Sequence, residues 1–326
     1  MAAGNTRWTV GTSVQVRAPG SSANIGPGFD SIGLALGLWD DYTATVTESG
    51  LQILVDGEAA FSLPRDERHL VYATMLRTWG RLGVQPPRGL ELVCRNGIPQ
   101  SRGLGSSATA IVAGVLAAQG LLALATTGSV DVDRVVTNAI SSGFEGHPDN
   151  ASATNYGGMT LSWYDEPGAA GPVANGDASL HTIRLEVSDL VVPLVFLPTR
   201  TLATVTAREV LPAQVPHAEA ALNAARAALL VEAMARRPDL LLPATRDWLH
   251  QEQRRLWFPE SMAVVDSLRS AGHAAVISGA GPSILVLTTA GRRSAVEALV
   301  GAAEWRTLDP GIPDIGATVV GTESTR

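Results

Sequence analysis

A glycine-broken loop that leads into a long apolar segment is the feature that most limits how this chain can fold. The loop spans residues 97–110 and reads Gly-Ile-Pro-Gln-Ser-Arg-Gly-Leu-Gly-Ser-Ser-Ala-Thr-Ala. Gly103 and Gly105 let the backbone approach an anion closely, and the free amides of a helix that begins near Ser106 attract negative charge. Ser106 or Ser107 can also supply an oxygen ligand to Mg²⁺. The loop therefore predicts a phosphate site, with a simple helix cap as the alternative interpretation of the two serines.

The chain contains no lysine, and all 24 of its basic residues are arginines. This absence excludes a phosphate loop of the Gly-Lys-Ser type, the strand lysine of protein kinases and any lysine Schiff base. The charge of a bound phosphate would have to be neutralised by backbone amides, arginine, a metal ion and the helix dipole.

Composition limits the classes of protein to which the chain can belong. Its 326 residues are 45% hydrophobic and 17% charged, which suits a compact soluble enzyme with two lobes. The net charge of −7 and the scattered arginines argue against a nucleic-acid surface. Because the N-terminus lacks an apolar signal core and no apolar run approaches the roughly 20 residues that span a bilayer, we expect a cytoplasmic protein without membrane contact.

Cys94, in an apolar run, is expected to be a buried small side chain rather than a nucleophile.

Strand-like and helix-like patterns are mixed along the chain without strict alternation, which favours an α+β fold over a doubly wound parallel sheet. A stretch rich in Gly, Ala and Pro at residues 165–179 is typical of a surface loop or interlobe connection, so we expect one lobe at residues 1–165 and a second at 166–326. Strands are predicted at residues 42–47, 51–55, 90–94, 159–163, 190–197, 274–278 and 283–287. Helices are predicted at residues 106–124, 132–142, 217–236, 240–250 and 261–270.

Two further segments carry polar groups suited to a small ligand. In residues 19–30, small residues hold the chain in an irregular path and present Asn24 and Asp30, whose oxygens can accept hydrogen bonds from a substrate ammonium. A turn with an Asx cap explains this segment equally well. Residues 145–150, Glu-Gly-His-Pro-Asp-Asn, lie between two helical runs and offer an acid, an imidazole and an amide to one ligand. A single histidine without a spaced partner, such as His147, does not by itself predict a zinc site.

A glycine turn at residues 278–283, Ser-Gly-Ala-Gly-Pro-Ser, lies between two apolar strands, and a tight hairpin explains it when it is taken alone. Together with Pro-x-x-Ser-x-Asn-x-Gly-x-Gly-Phe-Asp near the start and Gly-Leu-Gly-Ser-Ser-Ala near residue 105, however, it resembles in order and spacing the three signature motifs of the GHMP small-molecule kinases. Within that superfamily the resemblance is strongest to the homoserine kinase family, and it covers about residues 13–320. The supporting segments are residues 145–150, 206–212, 215–217, 250–254 and 259–261.

The resemblance implies a fold and a reaction. The fold would be that of the GHMP kinases, in which an N-terminal lobe like the second domain of ribosomal protein S5 joins a ferredoxin-like C-terminal lobe, with ATP and substrate between them. The reaction would be the Mg²⁺-dependent transfer of a phosphoryl group from ATP to L-homoserine, which yields O-phospho-L-homoserine and ADP in threonine biosynthesis. We also expect a homodimer.

The motif matches assign the donor and the chemistry to particular residues. Asn150 would orient the acceptor hydroxyl, and Asp149 is a candidate base in a reaction for which alignment and charge neutralisation can suffice. Mg²⁺ would be held by Ser107, and Glu145 is a further candidate ligand. The phosphates of ATP would lie on Arg102, Gly103, Leu104, Gly105, Ser106 and Ser107.

The same matches assign the acceptor. Asn24 and Asp30 would bind the ammonium of homoserine. Arg208 and Arg254 would grip its carboxylate, since guanidinium groups pair with carboxylates in a bidentate manner. Arg208 is also counted among the catalytic residues, and His147 would line the same pocket.

Two departures from the family pattern leave alternatives open. Relatives usually carry a metal-binding glutamate two residues before the 145–150 segment, where this chain has Gly143. The metal would then rest on Ser107, phosphate and water, or on Glu145, or the activity is weakened or redirected. The bulky residues 255–258 could reshape the acceptor pocket or could simply pack at the surface. The alternatives are a kinase for another hydroxylated amino acid or a specialised-metabolite intermediate, and a catalytically silent homologue that binds nucleotide or amino acid.

Overall fold

Two β-sheets organise the protein, for which the computed structural model describes residues 6–165, 180–199 and 210–322. The strands are β1 Ser13–Asn24, β2 Gly28–Thr47, β3 Gly50–Gly57, β4 Gly89–Asn96, β5 Met159–Tyr164, β6 Leu180–Leu185, β7 Val192–Pro198, β8 Ala274–Ile277, β9 Ile284–Thr288, β10 Trp305–Leu308 and β11 Thr318–Thr322. The α-helices are α1 Leu70–Arg81, α2 Ser106–Thr127, α3 Arg134–Glu145, α4 Asp149–Tyr156, α5 His217–Ala235, α6 Leu241–Ala244, α7 Pro259–Ser270 and α8 Arg293–Val300. Short 3₁₀ helices lie at Pro238–Leu240, Glu252–Trp257 and Ala290–Arg292.

The first sheet has seven strands and carries α1 to α4. Its main order is β11-β1-β2-β4-β3, and β5 pairs with β2 and with β6. Neighbouring strands are antiparallel except β3 and β4, which run parallel. Alternate side chains of β1, β2 and β4 form one core with apolar residues of α1 and α2, including the fully buried Trp79 and Leu116. The long helix α2 is thereby fixed against the sheet, and the loop before it approaches the second lobe at Ser278.

Helix α2 is apolar on nearly all of its faces. It is long and apolar enough to cross a membrane by length and composition, so the expectation that no apolar run has this length was wrong. However, 72% of its most apolar window is buried inside the protein. An apolar helix of this kind is typical of a protein core.

The second sheet has four antiparallel strands in the order β10-β7-β9-β8. One face packs on α7 and α8, with Phe196 of β7 and Leu268 of α7 among the buried residues. The other face packs on α5 and α6 and also on β2 of the first sheet, through Leu34 and Leu36. Because this last core contains residues of both sheets, the two lobes are held in contact by continuous apolar packing.

Most of the predicted elements are present, and the exceptions have local causes. The helix predicted at residues 240–250 was wrong beyond Ala244, because the carboxylate of Asp247 accepts the amides of Leu249 and Gln251 and so replaces helical hydrogen bonds. Residues 19–30 lie largely within β1 and β2, but their path is irregular as predicted. The pairing of the two strands shifts register at Pro19/Gly20 and at Ala23/Asn24, and Asn24, Ile25 and Asp30 have positive φ angles.

The lobe boundary at residue 165 stays a prediction. Strand pairing nevertheless places β6 and β11, which follow that residue, in the first sheet. Of the predicted connection at residues 165–179, positions 166–179 lie outside the described residues. Cys94 is fully buried on β4 as predicted, and burial raises the pKa of its thiol to about 12.

Candidate active site

A cavity of about 300 Å³ lies where the start of α2, the α3–α4 connection and the β1–β2 turn meet the second lobe. Every predicted site residue that the structure describes lines this cavity. They are Asn24, Asp30, Arg102, Gly103, Leu104, Gly105, Ser106, Ser107, Glu145, His147, Asp149, Asn150 and Arg254. The remaining one, Arg208, lies outside the described residues. Segments separated by more than 200 residues in sequence thus contribute to one cavity, as the resemblance to the GHMP kinases implied.

The loop before α2 is held in an unusual backbone conformation. Gly103 and Gly105 have φ angles of 72° and 71°, which side-chain-bearing residues rarely adopt. A Cβ at Gly103 would lie 2.1 Å from the carbonyl oxygen of Ser278, and one at Gly105 would lie 2.2 Å from Oγ of Ser21. The hydroxyl of Ser278 also donates to the carbonyl oxygen of Gly103 over 2.6 Å. The loop is therefore clamped between β1 and the glycine turn of the second lobe.

The first turn of α2 opens on the cavity. Gly105 occupies the N-cap position in a left-handed conformation and has no side chain with which to cap the first amides. The serines at 106 and 107 are therefore not helix caps, and the alternative interpretation of this segment fails for the described residues. Unpaired amides at a helix start, together with the helix dipole, favour an anion at this end of the cavity.

The polar cluster at residues 145–150 connects α3 to α4. Asp149, which is 1% exposed, begins α4, and its Oδ1 lies 2.6 Å from Nδ1 of His147. The same oxygen accepts the amide of Asn150 over 2.7 Å. Strand β2 approaches this point closely at Gly33, where a Cβ would lie 2.0 Å from the carbonyl oxygen of Asp149. The carboxylate is therefore fixed in place by its neighbours at the cavity wall.

The side chain of Asn150 is also fixed. Its Oδ1 accepts a hydrogen bond from the hydroxyl of Ser21 on β1 over 3.0 Å, and that hydroxyl lies 3.2 Å from Oγ1 of Thr154. Ser21 is fully buried. The sequence analysis gave Ser21 no role of its own, although it lies within the first motif.

The lining of the cavity also carries charges of both signs. The side-chain oxygen of Asn24 accepts the amide of Asp30 over 3.1 Å, which braces the turn between β1 and β2. Arg254, which is 4% exposed, reaches the cavity from the 3₁₀ helix of the second lobe. Its guanidinium carbon lies 5.8 Å from the ring centre of Phe29. An ammonium and a carboxylate can thus be bound side by side.

Comparisons with known proteins identify the family of this chain. The family model of the GHMP kinases N terminal domain matches residues 69–158, and that of the GHMP kinases C terminal domain matches residues 218–304. The homoserine kinase of Streptomyces coelicolor is 50% identical over 308 residues, which cover 94% of this chain and 94% of that protein. The chain belongs to the homoserine kinase family. The homoserine kinase of Streptomyces avermitilis is likewise 50% identical, over 89% of this chain and 90% of that protein.

Solved structures show the same fold. The homoserine kinase from Cytophaga hutchinsonii superposes with a TM-score of 0.78 at 24% identity, covering 94% of this chain and 97% of that one. A mevalonate diphosphate decarboxylase from Staphylococcus aureus superposes with a TM-score of 0.65 at 15% identity, covering 95% and 98%. The predicted α+β class and GHMP kinase fold are confirmed, and the protein is an enzyme of the kinase class.

The two departures from the homoserine kinase pattern have structural outcomes. Gly143 lies within α3 and is not among the described residues that line the cavity. Glu145, at the end of the same helix, does line it. A carboxylate is therefore present in the cavity despite the glycine. Leu256 and Trp257 are 89% and 44% exposed and lie at the surface, whereas Phe258 is buried beside Gly281. None of these three residues is among those that line the cavity.

Oxygen ligands suitable for Mg²⁺ converge on the cavity. The hydroxyl of Ser107 and the carboxylate of Glu145 both line it, and hard oxygen donors are what Mg²⁺ prefers. A second group has ligand atoms within 4.8 Å of one another and consists of Asp30, His147 and Asp149. Part of that closeness is the 2.6 Å contact between His147 and Asp149.

Proposed function

We propose that this protein transfers the γ-phosphoryl group of ATP to the side-chain hydroxyl of L-homoserine, giving O-phospho-L-homoserine and ADP in threonine biosynthesis. The observation that carries the proposal is that one cavity of about 300 Å³ joins an uncapped helix start to a pocket with both an acid and a guanidinium. The first end suits a triphosphate, and the second suits a zwitterion. Family membership at 50% identity over 94% of the chain supports the same assignment.

The donor end would hold the phosphates of ATP through the backbone. Arg102 and the segment from Gly103 to Ser107 line this end, and the amides of the first helical turn compensate negative charge without a lysine. Ser107 and Glu145 would hold Mg²⁺. When bound, the ion would neutralise the charge of the phosphate oxygens.

The acceptor end would hold homoserine by its two charges. Asp30 and Asn24 would accept hydrogen bonds from the ammonium, and Arg254 would pair with the carboxylate, joined by Arg208 on the strength of the motif match. His147 would line the same pocket. These contacts would fix the substrate's side chain towards the start of α2.

The chemistry would depend chiefly on alignment. Asn150, held by Ser21, would orient the substrate hydroxyl for in-line attack on the γ-phosphorus. As the new oxygen–phosphorus bond forms, the bond to the ADP oxygen breaks and the hydroxyl proton must leave. Asp149 is the candidate acceptor of that proton, with its carboxylate oriented by His147. We further propose that the enzyme is cytoplasmic, that it acts on a small molecule and that it forms a homodimer. Light scattering of the purified protein would measure its molar mass and so test for the dimer.

The proposal is tested by following ADP release with homoserine, threonine, serine and mevalonate as acceptors. We expect turnover with homoserine to exceed turnover with the others, and the absence of turnover at millimolar homoserine would refute the assignment. Arg208→Ala should raise the KM for homoserine sharply while leaving that for ATP nearly unchanged. Asp30→Asn should do the same, because each removes a charge that recognises the acceptor alone. Equal losses for both substrates would place these residues at the wrong end of the cavity.

A further inference from the structure

His250 is fully buried and lies between Arg254 and the turn that joins β1 to β2. Its Nε2 is 2.8 Å from the carbonyl oxygen of Gly26, in the turn between β1 and β2. Its Nδ1 is 3.1 Å from Nη1 of Arg254. The imidazole also stacks on Phe29, with ring centres 5.3 Å apart. A single side chain thus contacts both lobes at the point where their charges face the cavity.

These contacts admit one protonation state of the imidazole. A carbonyl oxygen only accepts, so Nε2 must carry the proton that it donates to Gly26. A guanidinium only donates, so Nδ1 must be the unprotonated nitrogen that accepts from Arg254. An imidazolium would direct a second N–H at the guanidinium and lose that hydrogen bond.

The surroundings keep the ring neutral and in place. Burial lowers the pKa of His250, and the charge of Arg254 acts in the same direction, against the opposing influence of Asp247 and Asp30. The carboxylate of Asp247 accepts the backbone amide of His250 over 3.1 Å and lies 3.6 Å from Nε2. The backbone that carries the imidazole is therefore anchored independently of the ring.

The turn that receives the Nε2 hydrogen bond carries the ammonium-binding groups. Asn24 and Asp30 flank it, and the turn is also tied to the second lobe by Asn223, whose side-chain amide donates to the carbonyl oxygen of Pro27 over 2.9 Å. Gly26 lies so close to Thr245 that a Cβ would come within 2.5 Å of its carbonyl oxygen. Because Asn223 also holds the turn, the position of the turn does not depend on the imidazole alone.

We propose that His250 is a positioning residue for acceptor binding: as a neutral imidazole it accepts a hydrogen bond from Arg254 and holds that guanidinium in register with the β1–β2 turn. This inference rests on the proposed role of Arg254 in binding the acceptor's carboxylate. In this role His250 does not touch the substrate. It sets the distance between the guanidinium of Arg254 and the side-chain oxygens of Asn24 and Asp30.

Two substitutions separate the two hydrogen bonds. His250→Asn places an amide oxygen near the Nδ1 position and keeps an acceptor for Arg254, whereas His250→Gln places an amide N–H near the Nε2 position and keeps the donor to Gly26. We expect His250→Gln to raise the KM for homoserine about tenfold or more, the effect of losing a hydrogen bond to a charged group. His250→Asn should stay within about threefold of the wild type, and the KM for ATP should not change in either.

The matched control is His273→Gln, which replaces another buried histidine of the second lobe, at the turn between α7 and β8. It should lower stability without changing the KM for homoserine. Equal effects of the two His250 variants, a larger effect of His250→Asn, or a parallel rise in the KM for ATP would overturn the inference. The activity of the wild-type protein with homoserine is measured before that of any variant. If it is absent, the proposed function is wrong, and the result says nothing about His250.

A second measurement does not depend on the variants being stable enough for kinetics. Nitrogen-15 spectra of the wild-type protein labelled at its six histidines report the protonation of each ring nitrogen. The His250 signal, identified by its loss in His250→Asn or by its shift in Arg254→Leu, should show protonated Nε2 and unprotonated Nδ1 from pH 6 to 8. An imidazolium or the opposite tautomer in that range would overturn the inference.

Discussion

The hydroxyl of Ser21 donates a hydrogen bond to the side-chain oxygen of Asn150 over 3.0 Å and so ties β1 to the start of α4. Ser21 also faces Gly105, the residue that precedes α2, since a Cβ on that glycine would touch its Oγ. One buried serine thus lies between the residue that would orient the acceptor hydroxyl and the loop that would hold the phosphates. Ser21 thereby fixes the position of Asn150 relative to the phosphate loop.

Removing that hydroxyl should impair alignment more than binding. We expect Ser21→Ala to lower kcat about tenfold, the loss of one buried hydrogen bond, with small changes in the KM for ATP and for homoserine. Steady-state ADP release measures all three quantities. Ser13→Ala is the matched control, because Ser13 lies buried on the same strand, far from the cavity, and accepts from Thr45 over 3.1 Å. A kcat as high in Ser21→Ala as in the control would show that Asn150 needs no such support.

The glycine before α2 should be irreplaceable for steric reasons. Gly105→Ala would combine the cost of a left-handed alanine with a contact of 2.2 Å to Ser21 Oγ. We expect a loss of both ATP binding and stability. Gly128→Ala at the other end of the same helix has a similar φ of 74° and open space around it, so it should cost only about 1 kcal/mol and leave ATP binding unchanged. Thermal unfolding and ATP titration distinguish the two, and equal ATP affinities would contradict the clamp described for this loop.

Local chemistry made much of the site predictable. The glycines at 103 and 105, the serines that follow and the apolar run behind them predict a helix start facing an anion, and all of these depend on neighbours in sequence. The order of the three motifs then indicated that distant segments meet in one cavity. By contrast, Arg208 stays a prediction because it lies outside the described residues.

What the sequence analysis missed depends on long-range packing. Nothing near His250 in the sequence shows that its ring bridges Gly26 and Arg254, because the first contact spans 224 residues. Helix α1 was also missed, although Val71, Met75 and Trp79 recur every four residues and are all fully buried. That spacing is the periodicity of an amphipathic helix and is sufficient to predict α1.

Magnesium dependence should follow Glu145 rather than position 143. Because Glu145 lines the cavity, Glu145→Gln should raise the Mg²⁺ concentration needed for half-maximal turnover, since a neutral amide binds Mg²⁺ more weakly than a carboxylate. Gly143→Glu should leave that concentration unchanged, because Gly143 is not among the described residues that line the cavity, whereas Glu145 already is. Titrating Mg²⁺ at fixed ATP tests both, and a gain in Mg²⁺ affinity for Gly143→Glu would show that the metal lies nearer to position 143.

Asp40 links stability at acidic pH to the loop that leads into α2. Its Oδ1 accepts the amides of Gly97 and Ile98 over 2.7 and 2.9 Å, and its Oδ2 accepts the hydroxyl of Tyr42 over 2.9 Å. Burial nevertheless outweighs these hydrogen bonds and raises the pKa of this carboxyl from 3.8 to about 6. Between these two values the folded protein holds a proton that the unfolded chain has released.

The free energy of unfolding should therefore contain a contribution from Asp40 that is fully present below the unfolded pKa of 3.8 and is lost as the pH rises through about 6. A shift of about two pKa units corresponds to about 3 kcal/mol. Asp40→Asn cannot titrate, so its stability relative to the wild type should improve by up to that amount between pH 4 and 7. Tyr42→Phe removes a hydrogen bond that lowers the pKa of Asp40 and should extend the loss to higher pH. Urea unfolding at pH 4, 5, 6 and 7 measures these differences in the free energy of unfolding. If the difference between the wild type and Asp40→Asn does not change with pH, Asp40 titrates in the folded protein as it does in the unfolded chain, and the prediction is wrong.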